Sequence, residues 1–194
     1  MPETIALFDD YYLEAATDKP AFDAFFMANS PKVFSATSTF SYQQALSKME
    51  NEQLEKLGSN LDNSYRLCFY LKKGEEKIGW FKGEQKDKDS FSMSNTGIFP
   101  AHQQQGIYKA MLPKVLNLLQ EAGFQRVISY HQATNNTIII PKLKAGFLIT
   151  GFEISDEYGL LIKLTYYFNE TRRQAIDFRV GRQKMDENLA PFFS

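Results

Sequence analysis

The sequence predicts an α/β domain built on a mixed sheet. Three observations carry that expectation. The first 64 residues place apolar side chains at helical spacing. From residue 65 the chain changes to β-rich runs separated by short polar turns. After residue 99 strands alternate with two amphipathic helical stretches, which calls for at least one parallel connection. The chain has 194 residues and 43% of them are apolar. That suits one domain over 1–194 with a single sizeable core.

The elements follow in order. Ile5, Phe8, Tyr12 and Ala15 recur at helical spacing and predict a first helix. Asp18 ahead of Pro20 predicts the start of a second, with Phe22, Phe25 and Phe26 on one face. Ser41 and Gln44 have the spacing of a capping box, opening a helix with Leu46, Met49 and Leu57 toward the core and Gly58 and Asn60 at its end. Residues 1–64 thus read as a helical segment. Tyr65–Leu71, Lys77–Gln85 and Phe91–Phe99 read as strands, with turns at Lys72–Gly74 and Lys86–Asp89. Gln105–Ala122 is a predicted helix facing the core with Ile107, Met111, Val115, Leu118 and Leu119 and ending at Gly123. Val127–His131 is a strand and a helical segment runs to Gly146. Phe147–Ile154 and Leu160–Tyr167 close the sheet around a turn at Gly159. Pro113 and Pro141 fall inside the two helices, and each removes one helix hydrogen bond. Residues 168–194 are polar with an apolar end (Leu189, Pro191, Phe192, Phe193) and read as a tail or a docking element.

Charge and cysteine usage narrow the function. The net charge is −1, without the basic excess expected of a nucleic-acid binder. No apolar run is long enough to span a bilayer. The start, MPETIALFDD, lacks the basic and apolar regions of a signal peptide, so a cytoplasmic protein is expected. Cys68 is the one cysteine, and His102 and His131 lie far from it, which leaves neither a disulfide nor a zinc set; no metal is expected. The neutrality is composite: residues 1–64 carry four lysines and ten acids, a balance of −6, and the rest of the chain carries +5.

The chemistry-bearing stretch is GIFPAHQQQGIYKAML, residues 97–112. A strand ends, a polar loop follows, and a helix opens near Gly106. Unpaired N–H groups and the helix dipole at such a start suit a pyrophosphate. Gly106 permits close approach of the backbone to an anion. The run Gln103-Gln104-Gln105-Gly106-Ile107-Tyr108, after Ile98-Phe99-Pro100, resembles the acetyl-CoA loop of the GNAT superfamily of N-acetyltransferases. A second block, VISYHQATNN followed by IIIPKLKAGF, resembles that family's strand, Asn and helix closing on Lys-x-Gly-Phe, with Asn135, Lys144 and Gly146-Phe147 in those slots. The resemblance covers roughly residues 65–167. Two slots differ: Tyr108 stands at the last small-residue position of the loop, and Lys142 stands where many members carry a tyrosine.

The resemblance implies a splayed mixed sheet that takes acetyl-CoA as cosubstrate and transfers its acetyl group directly to a primary amine. N–H groups of Gln104, Gln105, Gly106, Ile107 and Tyr108 would hold the pyrophosphate, helped by the Gln103 side chain. Backbone N–H groups at the end of the strand, by Ile98 and Phe99, would polarise the thioester carbonyl. Asn135 would cap its helix and touch the pantetheine arm. His131, Glu84 and Lys142 are the candidate acid and base groups. In this family the N-terminal segment builds the acceptor side, so its acidity would favour a cationic amine, small molecule or peptide. A non-catalytic protein of the same fold that binds acyl-CoA or regulates a partner is the alternative. A homodimer is left open.

Overall fold

A computed structural model describes residues 2–34, 42–61 and 63–193. Its centre is an eight-stranded mixed sheet. The strands are β1 (Thr4–Phe8), β2 (Tyr11–Ala15), β3 (Arg66–Lys73), β4 (Glu76–Gln85), β5 (Ser90–Ile98), β6 (Arg126–Gln132), β7 (Leu148–Ser155) and β8 (Gly159–Tyr167). Their order in the sheet is β1-β2-β3-β4-β5-β6-β8-β7. Every pairing is antiparallel except that of β5 with β6. That single parallel pair is bridged by α4 (Ile107–Glu121). The other helices are α1 (Lys19–Val33), α2 (Tyr42–Ala45), α3 (Lys48–Ser59), α5 (Asn136–Lys144) and α6 (Glu170–Arg179).

The strands from residue 65 onward, α4 and α5 form where the sequence predicts them, with ends shifted by a residue or two. The front differs. Ile5, Phe8, Tyr12 and Ala15 belong to a β-hairpin, not a helix. The chain turns at Asp9-Asp10, with Asp9 at φ 45, a left-handed conformation that Asp tolerates in a tight turn. Tyr11 and Leu13 then alternate into the core with period two. Asp18 does cap α1, accepting from the Ala21 N–H with Pro20 in the first turn. Ser41 lies outside the described residues, and the capping box sits at Ser47 and Glu50, opening α3. Met49 and Leu57, each 65% exposed, do not face the core. Residues 170–179 form a helix instead of a tail, because Asn169 caps it and Arg172 joins Asp89, which also pairs with Arg126.

The two sheet faces are covered differently. On one face α4 buries Ile107, Met111, Leu112, Val115, Leu116 and Leu119 against Leu13, Phe69, Phe81 and Phe91. On the other, α1 lays Phe22, Phe25 and Phe26 over Tyr70 and Trp80. Gly97 lets the Trp80 indole lie across β5, since a Cβ there would come within 2.3 Å of the ring.

Candidate functional site

Two irregularities in β5 create the site. Asn95 pairs with Lys82 and Ser92 with Glu84, so β5 carries an extra residue at Met93–Ser94 against β4, a bulge. On its other side β5 pairs with β6 at only three rungs, Ser90–Arg126 to Ser92–Ile128. Beyond them both strands continue without each other: Met93–Ile98 on one side, Ser129–Gln132 on the other. The sheet opens into a wedge there, and the β5 edge facing β6 leaves backbone groups without a strand partner.

At the open end of the wedge lies the loop before α4. Gly106, at φ 81, precedes the helix, and a Cβ built on it meets only open space. Gln104 is also left-handed, at φ 61. Among the described residues nothing accepts from the N–H groups of Gln104, Gln105 or Gly106, and the first N–H groups of α4 are free by helix geometry. The loop is braced by its own side chains. Gln103 Nε2 donates to the Ile98 carbonyl at 2.9 Å, and Gln105 Nε2 donates to the Ala101 carbonyl while its Oε1 accepts from the Tyr11 hydroxyl. Gln103 is therefore committed to the loop itself. Tyr108 turns inward against the core, where burial raises its phenol pKa, and leaves the outer side of the loop clear. Tyr11, which braces the loop, lies on β2, where the spacing of apolar residues predicts a helix and so hides this contact.

At the deeper part of the wedge the structure brings Met93, Ser129, His131 and Lys142 together. Lys142, on α5, is 1% exposed. Its Nζ lies 3.6 Å from the Met93 sulfur and 5.0 Å from the centre of the Phe147 ring. No carboxylate among the described residues lies within ion-pairing distance of it. Burial pushes its pKa down to about 7. The Nε2 of His131 lies 3.2 Å from Ser129 Oγ, and burial, with the nearby Lys142, pushes its pKa down to about 3.

Other candidates lie apart. Glu84 stands beside Ser92, where the sheet is still closed, and pairs with Arg66 at 3.6 Å. The Phe99 N–H already donates to the Ile78 carbonyl at 2.8 Å, so it cannot serve a thioester, and its ring packs on Trp80 and Phe25. Asn135 precedes α5 but its side chain caps nothing; its Oδ1 accepts from Thr137 Oγ1. His102 lies 3.8 Å from Glu76 and edge-on to Tyr11. Among the described residues no group of three His, Cys, Asp or Glu could hold a metal ion, and no helix is long and apolar enough to cross a membrane. A surface cavity of about 640 Å³ lies elsewhere, against Ile5 of β1 and Pro113, Lys114 and Asn117 of α4.

Solved structures of acetyltransferases share this fold. The chain superposes on the ribosomal-protein-S18-alanine N-acetyltransferase from Escherichia coli with a TM-score of 0.60 and 15% identity, over 82% of this chain and 94% of that one. A GNAT family acetyltransferase from Elizabethkingia anophelis with acetyl-CoA bound gives 0.56 and 16%, over 83% and 100%. The spermidine/spermine N-acetyltransferase from Vibrio cholerae gives 0.59 and 14%, over 86% and 98%. No family model matches the sequence, and no curated protein matches it. The likeness is therefore one of fold, carried by topology at low identity.

Proposed function

We propose that this protein is an acetyl-CoA-dependent N-acetyltransferase that passes an acetyl group directly to a primary amine. The observation that carries the reading is the wedge between β5 and β6, with free N–H groups at its mouth and an unpaired, buried ammonium group inside. The loop from Gln104 to Tyr108 suits the pyrophosphate through backbone dipoles, without a cationic side chain. The pantetheine arm fits the wedge, along the unpaired edge of β5. N–H groups of the Met93–Asn95 bulge take the polarising role that Phe99 cannot fill.

The neutral amine nitrogen attacks the thioester carbon, the C–S bond breaks, the departing thiolate takes a proton from Lys142, and Lys142 regains one from the acylated nitrogen as the amide forms. Lys142 is the proton donor, since a pKa near 7 leaves it divided between its two forms at neutral pH. His131 stays neutral at working pH and is a poor base; it serves as a hydrogen-bonding neighbour. Glu84, tied to Arg66, has no part in this scheme.

The test uses the purified chain. Acetyl-CoA should raise the melting temperature, and an amine panel should release free thiol. Lys142→Met should cut turnover by about 10²-fold, the usual share of one acid–base group, and still bind acetyl-CoA. A thermal shift without thiol release from any amine would favour the non-catalytic, acyl-CoA-binding alternative. Neither response would end both readings.

A further inference from the structure

The wall of the wedge on the α1 side has an unexpected charge. Its floor is aromatic: the Trp80 indole donates to Asn95 Oδ1 at 2.8 Å, lies over Gly97, and meets Phe25, Phe26 and Phe99. Three lysines stand on these rings. Lys77 Nζ is 3.6 Å from the centre of Tyr70, Lys82 Nζ is 4.0 Å from that of Phe26, and Lys32 Nζ is 6.0 Å from that of Phe99. None has a carboxylate within 4.0 Å among the described residues, whereas Lys72 and Arg66 on the same face are paired with Glu14 and Glu84. A ring face satisfies an ammonium only in part, because its N–H donors still point away from the ring.

Several acids of residues 1–64 have partners of their own. Glu14 holds Lys72, Asp18 caps α1, and Asp9 and Asp10 make the hairpin turn at the far edge of the sheet. Asp23 lies close to Cys68, and Asp18 and Glu14 lie within electrostatic reach of Tyr70, the ring under Lys77. Lys77 and Lys82 nevertheless lack a carboxylate in direct contact, and Lys32 donates only to the neutral Asn29 Oδ1 at 2.8 Å. An anionic group held beside an apolar body would supply the direct partner that the ammonium groups of Lys77 and Lys82 lack.

We propose that the acceptor carries an anionic group, a carboxylate or a phosphate, alongside its amine, and that Lys77 and Lys82, with Lys32 at the rim, select it. This rests on the acetyl-transfer reading. It reverses the cationic acceptor that the charge balance of residues 1–64 suggests.

Matched amines test it on the acetyl-CoA-saturated chain: phenylalanine against phenethylamine for a carboxylate, phosphoethanolamine against ethanolamine for a phosphate, and spermidine as the polycation. The anionic member of at least one pair should show a kcat/KM about tenfold higher, equivalent to one well-placed charge contact. The double variant Lys77→Gln, Lys82→Gln should bring that ratio close to one by raising KM for the anionic member. Equal rates within both pairs, or a preference for spermidine, would overturn the proposal. If no amine turns over, binding decides separately from transfer. Phenylalanine or phosphoethanolamine should then raise the melting temperature of the acetyl-CoA-loaded chain more than its uncharged partner does, and equal shifts would overturn the proposal on their own.

Discussion

Tyr11 shows how one side chain can govern the loop before α4, the proposed pyrophosphate site, from outside it. Its hydroxyl donates to Gln105, and Gln105 in turn donates to the Ala101 carbonyl. Through this relay β2 fixes a loop that contains one strained residue, Gln104, and one obligatory left-handed glycine. Removing the hydroxyl leaves Gln105 free to rotate and lets the unpaired N–H groups diverge. Tyr11→Phe should weaken CoA binding about fivefold to tenfold, the worth of a hydrogen bond of roughly 1 kcal/mol. Binding of pantetheine, which lacks the pyrophosphate, should not change. Isothermal titration with both ligands separates this positioning effect from general loosening, which would weaken both alike.

At the scale of elements, the sequence is informative where local chemistry and fold agree and silent where tertiary contacts decide. From residue 65 the strands and α4 follow their periodicity and their glycine punctuation, and α5 follows the motif that ends at Gly146-Phe147. The β1–β2 hairpin defeats periodicity because Ile5, Phe8, Tyr12 and Ala15 happen to sit three and four residues apart, while the true signal is the Asp9-Asp10 turn. The turn into α4 is legible from Gly106 and its position before a helix. The buried state of Lys142 is not, since only the packing of α5 on Met93 and Phe147 removes it from water. Nor is the role of Gly97, whose hydrogen is all that fits under the Trp80 indole. Gly97→Ala should force the indole off Asn95 and cost about 1–3 kcal/mol, the usual range for overpacking a core. A denaturant titration with unchanged slope would show that loss, and fluorescence of the lone tryptophan would report the moved ring.

For the whole molecule the buried ammonium has a thermodynamic signature that is independent of any activity. An unfolded chain holds the Lys142 proton up to its ordinary pKa of 10.5, while the folded chain releases it near 7. Between those values the unfolded state binds more protons, so stability rises with pH. Below 7 both states are charged and the folded protein bears the full cost of the buried charge, on the order of 4–5 kcal/mol. Lys142→Met removes that cost and keeps a side chain of similar length. The variant should therefore be the more stable protein at pH 7, and its advantage should shrink by about 1.4 kcal/mol per pH unit toward pH 10, the slope of one proton. Taking the difference between the two proteins cancels every other titrating group, and staying above pH 7 keeps the His131 transition out of the window. Chemical denaturation at half-unit steps of pH measures it. A difference that stays constant with pH would mean that Lys142 remains protonated in the fold, and it would then lose its claim to be the group that moves a proton at neutral pH.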